Sequence, residues 1–181
     1  MAIVEGTNAG FVTTAPSTDP AGTALTNTDS LARACKFTAP TGCTTITEMG
    51  WWCNNATEEA NFELGIYNDN GGGATSAPST LRTGTSRTNA KGTGAGWKVA
   101  SGLSIAVTAG TAYWLAFQLD NTATTTETDG ATGGARRSFD ASDGTTLLST
   151  WVDSGSGDNI LAIYALYTPT STSTGNFFAV L

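Results

Sequence analysis

The chain has 181 residues, a formal charge of −7, only eight lysines and arginines, and no histidine. Nucleic-acid affinity rests on Lys and Arg neutralising phosphates, so so few basic residues on so acidic a chain speak against nucleic acid as a partner. Without histidine, Ser-His-Asp and Cys-His catalysis and imidazole-ligated zinc are also removed.

Hydrophobic residues make up 39% and charged residues only 13%, against a usual charged share of roughly 25%. Thr, Ser, Asn and Gly therefore supply the polarity. Threonine's branched, hydroxylated side chain suits a solvated strand face and disfavours helix interiors. An all-β fold is expected. The first ten residues, "MAIVEGTNAG", show neither the basic region nor the apolar run of a secretory leader. The longest apolar run, Ile160 to Tyr167, is far below the roughly 20 residues that span a bilayer, so no membrane partner is expected.

Residues 1–30 are rich in Thr, Pro, Gly and Asp and read as an extended N-terminal arm with a first strand; residues 31–168 are expected to form the main β domain. Cys35, Cys43 and Cys53 show no CxxC spacing. Buried free thiols are the expectation, with a Cys43–Cys53 disulfide as the alternative. Strands are expected at 44–53, 62–67, 96–100, 102–108, 112–120, 136–140, 146–152 and 159–168. In the second of these, Phe62, Leu64 and Ile66 alternate with Glu63, Gly65 and Tyr67, the pattern of a half-buried strand, and "NDNGGG" (68–73) ends it with residues that tolerate positive φ. In "AYWLAFQLD" (112–120), Tyr113, Leu115, Phe117 and Leu119 face one way and Trp114, Ala116 and Gln118 the other. The Ala109-Gly110 turn makes residues 102–120 read as a hairpin. Short strands at this spacing, with Gly-rich turns, point to an antiparallel two-sheet β-sandwich of jelly-roll type, with extended arms at both ends.

"ILAIYALY" (160–167) is apolar on both faces and must be covered on both, by its own core and by another element or subunit. After Pro169 a polar spacer, "TSTSTGN", leads to "FFAVL" (177–181), a strand-like finish that either closes its own sheet or adds to a neighbour's. Ile160, Ile163, Tyr164 and Tyr167 of the first segment, and Phe177, Phe178, Val180 and Leu181 of the second, are the candidate interface residues.

Signals for chemistry are sparse. Glu48, Glu58, Glu59 and Glu63 lie near Trp51 and Trp52 in sequence, and a glycosidase needs two carboxyls flanking a sugar; Glu58 and Glu63 are the candidates for that outside reading. Asp69, Asp153 and Asp158 sit in Asn/Asp/Gly turns that could offer oxygens to a structural Ca²⁺, without the full calcium-loop series; no other cofactor is expected. The Gly-rich stretches 92–97 and 131–136 lack the phosphate-loop ending and read as loops. Asn55-Ala56-Thr57 matches a glycosylation sequon, meaningful only in a glycosylating host. Trp51 and Trp52, being adjacent, occupy opposite strand faces, so one of them is expected at the surface, where it could stack on a sugar or anchor a subunit.

"VEGTNAGFVTTAPSTDPAG" (4–22), "ITEMGWWCNNATEEANFELGIYN" (46–68), "SRTNAKGTGAGWK" (86–98), "GTAYWLAFQLDNT" (110–122) and "ILAIYALY" together resemble a family of small β-sandwich proteins from tailed-phage and uncultured-virus genomes. The core is more loosely similar to jelly-roll domains of bacterial extracellular proteins. The resemblance implies a non-enzymatic virion structural part, a capsid decoration or tail accessory protein, assembled in the host cytoplasm and exposed on the virion surface. Its implied partners are further copies of itself, as a trimer or lattice, and a capsid or tail protein. No catalytic residue is carried over. The alternative function is a glycan-binding module using Trp51 and Trp52.

Overall fold

The computed structural model describes residues 2–27, 31–82, 87–120, 126–141 and 146–170. Among the described residues twelve strands are formed: β1 (Gly10–Val12), β2 (Thr23–Asn27), β3 (Ala32–Thr38), β4 (Thr45–Cys53), β5 (Asn61–Asp69), β6 (Pro78–Leu81), β7 (Arg87–Ala90), β8 (Gly96–Ala106), β9 (Ala112–Asp120), β10 (Thr126–Asp140), β11 (Gly155–Leu161) and β12 (Ile163–Tyr167). One 3₁₀ turn, Gly73–Thr75, accompanies them. The all-β class holds. Among the described residues no helix is long and apolar enough to cross a membrane.

All twelve strands belong to one hydrogen-bonded sheet, where two separate sheets were expected. The main path runs β1-β12-β4-β10-β3-β9-β5-β6. One flank holds β8 and β12 on either side of β4, with β1 parallel to β12. The other holds β3, β9 and β5, with β6 and β7 beyond. β10 joins them because it is long and irregular: Thr128 pairs with Cys53 of β4, while Arg137 to Asp140 pair with β3. Between these contacts its register shifts twice, beside Gly133 at φ 81°. A left-handed glycine lets one strand bend from flank to flank without a break.

Residues 102–120 are not a hairpin. β8 pairs with β4, and β9 pairs with β3 and β5. The intervening turn donates Gly110 N–H to Ala39 O (2.7 Å) and accepts Ala39 N–H at Thr111 O (2.9 Å), which carries the chain across to the other flank. The expected strands 96–100 and 102–108 are one strand, β8, interrupted by a bulge opposite Thr47 that contains Gly102 at φ 70°.

The flanks meet face to face. Trp51 of β4 stacks on Phe117 of β9 and packs edge-on to Phe62 of β5, among Ile46, Met49, Leu64, Ile66, Leu115 and Leu119. Each such buried side chain contributes roughly 1.5–3 kcal/mol. Trp114, Ala116 and Tyr67, on the opposite face of β9 and β5, form a second cluster with Ala32, Ala34, Leu147 and Trp151. The cover for that face is residues 146–154, expected as a strand over 146–152. Instead they form a strap whose backbone reaches side chains and a sheet edge: Leu147 N–H donates to Glu63 Oε2 (2.6 Å), Leu148 O accepts from Tyr67 OH (2.6 Å), and Val152 N–H donates to Asp140 Oδ2 (2.8 Å).

The N-terminal residues are no free arm. Ile3, Ala9, Phe11 and Val12 are buried, and β1 and β2 pair with β12 and β10. At the other end the last described residue, Thr170, donates its N–H to Gly42 O (3.1 Å).

Candidate functional site

Where the sequence-derived candidates lie decides what they can do. "ILAIYALY" divides into the end of β11 and the whole of β12, with a bend at Ala162. Ile160, Ile163, Tyr164 and Tyr167 are all buried by their own chain, so none of the four is available as a subunit surface. One face of β12 enters the main core through Ile163, Ala165 and Tyr167. On the other, Tyr164 lies over Gly50, where a Cβ would sit 2.5 Å from its ring. Its hydroxyl donates to Glu48 Oε1 (2.7 Å), and Trp97 of β8 packs edge-on against it at 5.2 Å. Burial and the neighbouring Glu48 carboxylate both push the Tyr164 phenol well above its usual pKa. Phe177, Phe178, Val180 and Leu181 lie outside the described residues.

Trp51 and Trp52 occupy opposite faces as expected, yet neither is exposed. Trp51 is wholly buried, and Trp52, 9% exposed, is covered by Trp97 at a centroid distance of 5.5 Å. The Trp97 indole in turn donates to Thr18 O (3.1 Å), so the N-terminal segment reaches over this outer face. A sugar needs an open ring to stack on, and neither tryptophan offers one. Three surface clefts, of about 450, 350 and 480 Å³, are lined respectively by residues 6–8 with 13–18, by Ala74, Arg136, Gly157 and Asp158, and by Asn68, Thr80, Leu81 and Arg82. None of these three has a tryptophan or a glutamate in its wall.

The carboxylates are dispersed. Glu63 is buried beneath the strap and holds Leu147; burial raises its pKa. Glu48 holds Tyr164, and Glu59 Oε1 accepts from Ala60 and Gly92 N–H (3.1 and 2.7 Å). Two of the three calcium candidates have other partners. Asp69 is paired with Lys36 (3.3 Å) and accepts from the Trp114 indole (2.8 Å), and Asp153 accepts from Ser138 Oγ (2.7 Å). Asp158 stands exposed in the cleft with Arg136. Among the described residues no three of His, Cys, Asp or Glu are grouped to hold a metal.

Cys35, Cys43 and Cys53 are free and buried, without the alternative Cys43–Cys53 disulfide. Burial pushes Cys35 up to about 12 and Cys43 up to about 11, and raises Cys53 as well.

One feature is open to a partner. β8 runs for 11 residues, and among the described residues its only strand partner is β4. Lys98, Ala100, Leu103 and Ile105 point inward, while Val99, Ser101, Ser104 and Ala106 are exposed. β1, β2, β7 and β11 also have one strand partner each, over 3, 5, 4 and 7 residues. β6, by contrast, is closed by the strap, through Leu81 N–H to Ser149 O and Trp151 N–H to Ser79 O, both 2.9 Å. At one end of the β8 edge Arg82 Nη2 donates to Ala106 O (2.7 Å); along the rest, backbone donors and acceptors without a strand partner are a template for a further strand. The end of β8 and the exit of the chain also meet one short stretch: Val107 N–H donates to Thr44 O (2.9 Å), and Thr170 N–H to Gly42 O. Sequence reading missed this edge because it divided β8 in two; the signal was the alternation of residues 97–106 read through Gly102. No family model, curated protein or solved structure matches the chain.

Proposed function

We propose that this is a non-enzymatic structural protein of a virion, which assembles with further copies of itself and attaches to a capsid or tail. The observation that carries the proposal is the open edge of β8, with exposed, uncharged side chains along its outer face. A segment suited to that edge is present in the same sequence. "FFAVL" follows a polar spacer after Thr170, and a neighbouring copy's residues 177–181 would add to β8 through main-chain hydrogen bonds, with alternate side chains in contact. Within one assembly each copy then both donates and accepts a strand, a head-to-tail arrangement that closes into a ring such as a trimer or extends without closing. The virion setting rests on the resemblance to small phage β-sandwich proteins.

The edge itself provides the test. Val99 and Ser104 are exposed on the outward face of β8, and charged side chains on an edge strand block strand addition. A Val99→Lys, Ser104→Lys double substitution is expected to keep the thermal transition of the parent and to convert its assembly to monomer. An undiminished assembly would remove β8 as the acceptor.

A further inference from the structure

Asn70 and Gly71 form the turn that leaves β5, and theirs is the only Asn-Gly step in the sequence. Every other asparagine is followed by a residue with a Cβ. That matters because an asparagine side chain can be attacked by the backbone nitrogen of the next residue, and a Cβ on that residue obstructs the approach. Gly71 removes the obstruction and adopts φ 80°, a conformation that other residues seldom reach.

The surrounding groups are placed as that reaction needs them. The Asn70 side-chain oxygen accepts two backbone N–H groups, from Gly72 (3.0 Å) and Ala77 (3.1 Å). The first of these bonds closes a turn from the Asn70 side chain to Gly72, with Gly71 inside it. Together the two donors stand where negative charge gathers on the amide oxygen as a tetrahedral intermediate forms. The attacking nitrogen has its own acceptor, since Gly71 N–H donates to Asp69 Oδ2 at 3.2 Å. Asp69 is kept ready to accept. Although burial acts to raise its pKa, hydrogen bonds from Trp114 and Ser76 and the Lys36 ammonium outweigh that and hold it below the usual carboxylate range. Asn70, Gly71 and Gly72 are all exposed, so water reaches the site.

We propose that Asn70-Gly71 is a self-modification site, at which Asp69 acts as the base and the Gly72 and Ala77 amides as the oxyanion donors of an intramolecular deamidation. The Gly71 nitrogen forms a bond to Asn70 Cγ and passes its proton to the Asp69 carboxylate. The bond from Cγ to the side-chain nitrogen then breaks, and that nitrogen leaves as ammonia after taking the proton back from Asp69. The resulting five-membered succinimide is opened by water at one of its two carbonyls, giving aspartate or isoaspartate. The sum is amide plus water to acid plus ammonia, with no oxidation or reduction.

The consequence falls on the β5–β6 connection. Asn70 N–H donates to Ala77 O (3.1 Å) while Asn70 Oδ1 accepts from Ala77 N–H, a reciprocal clamp across the loop. Isoaspartate reroutes the backbone through the side-chain carbon and lengthens it at that clamp. Aspartate keeps the clamp's acceptor but sets a second negative charge beside Asp69. Either product gives an ageing molecule a different loop from a new one.

The test is peptide mass mapping of the full-length protein held near neutral pH, with isoaspartate detected by enzymatic methylation. The same chain unfolded in denaturant and an Asp69→Asn variant are run beside it, with the near-ultraviolet circular dichroism of the variant confirming its fold. Ammonia loss confined to Asn70, at a rate at or above that of the unfolded chain, is expected. Asp69→Asn is expected to slow it by about a hundredfold, the low end of what a positioned base contributes. A folded protein that keeps its Asn70 amide while the unfolded chain loses it would overturn the proposal, as would an undiminished rate in a folded Asp69→Asn protein. Should that variant fail to fold, the comparison of native with unfolded chain decides alone.

Discussion

Trp51 and Phe117 stack with ring centroids 4.7 Å apart and planes 6° from parallel, although β4 and β9 are nowhere hydrogen-bonded neighbours. The contact is made across the interior by the two flanks that β10 joins. The backbone ladder alone leaves those flanks free to open like a hinge; side-chain packing across the interior holds them closed.

Removing either ring tests how much of the fold depends on that closure. Trp51→Ala and Phe117→Ala are each expected to cost about 3–5 kcal/mol, the range for emptying an aromatic site in a core. Because the rings share one contact, the double variant should lose less than the sum. Urea unfolding of the four proteins reads this directly, and strict additivity would mean that the two rings do not support each other.

Glu63 makes the strap pH-sensitive. Burial raises its folded-state pKa above the ordinary value of 4.5, so its contribution to stability is fully present below that value and is lost as pH rises through the raised one. Glu63→Gln, a neutral stand-in for the protonated acid that retains an oxygen for Leu147 N–H, should therefore gain stability relative to the parent as pH climbs from about 4.5 towards neutrality. Melting temperatures of the two proteins across that range are the measurement. A gap that narrows with rising pH would reverse the sign and with it the account of Glu63.

The thiols should be inert while the protein is folded. The thiolate is the reactive form, and Cys35 and Cys43 are pushed up to about 12 and 11 by burial. Native protein treated with a thiol reagent at neutral pH is expected to show almost no labelling, and unfolded protein three labelled cysteines. Rapid labelling of any one in the native state would place it outside the core.

Local alternation was legible in the sequence, and the choice of partners was not. The split of residues 112–120 into Tyr113, Leu115, Phe117 and Leu119 against Trp114 and Ala116 is the division between the two clusters of the structure, because period two is a property of the strand alone. What covers each face is set by distant residues. Nothing near Glu63 or Tyr67 announces the strap over 146–154, and nothing near Trp52 announces Trp97 or the Thr18 carbonyl. The Ala109-Gly110 turn has hairpin chemistry, but Ala39 takes its hydrogen bonds and sends the chain to the other flank. β3 was missed because Arg33 and Lys36 interrupt its apolar pattern. Each reaches a partner, Arg33 at Thr26 O and Lys36 at Asp69 and Ser76, so both charges are accommodated within a central strand. The open edge of β8 was hidden by Gly102, which reads as a strand break and is a bulge.

Strand addition at β8 is the central claim, and the mass of the particle in solution tests it most directly. Light scattering on the full-length protein, beside a chain ending at Thr170 so that the Gly42 contact is kept, should show an assembly of several copies for the first and a monomer for the second, with the same β-sheet spectrum for both. A monomer in both cases, or one unchanged assembly in both, would contradict it.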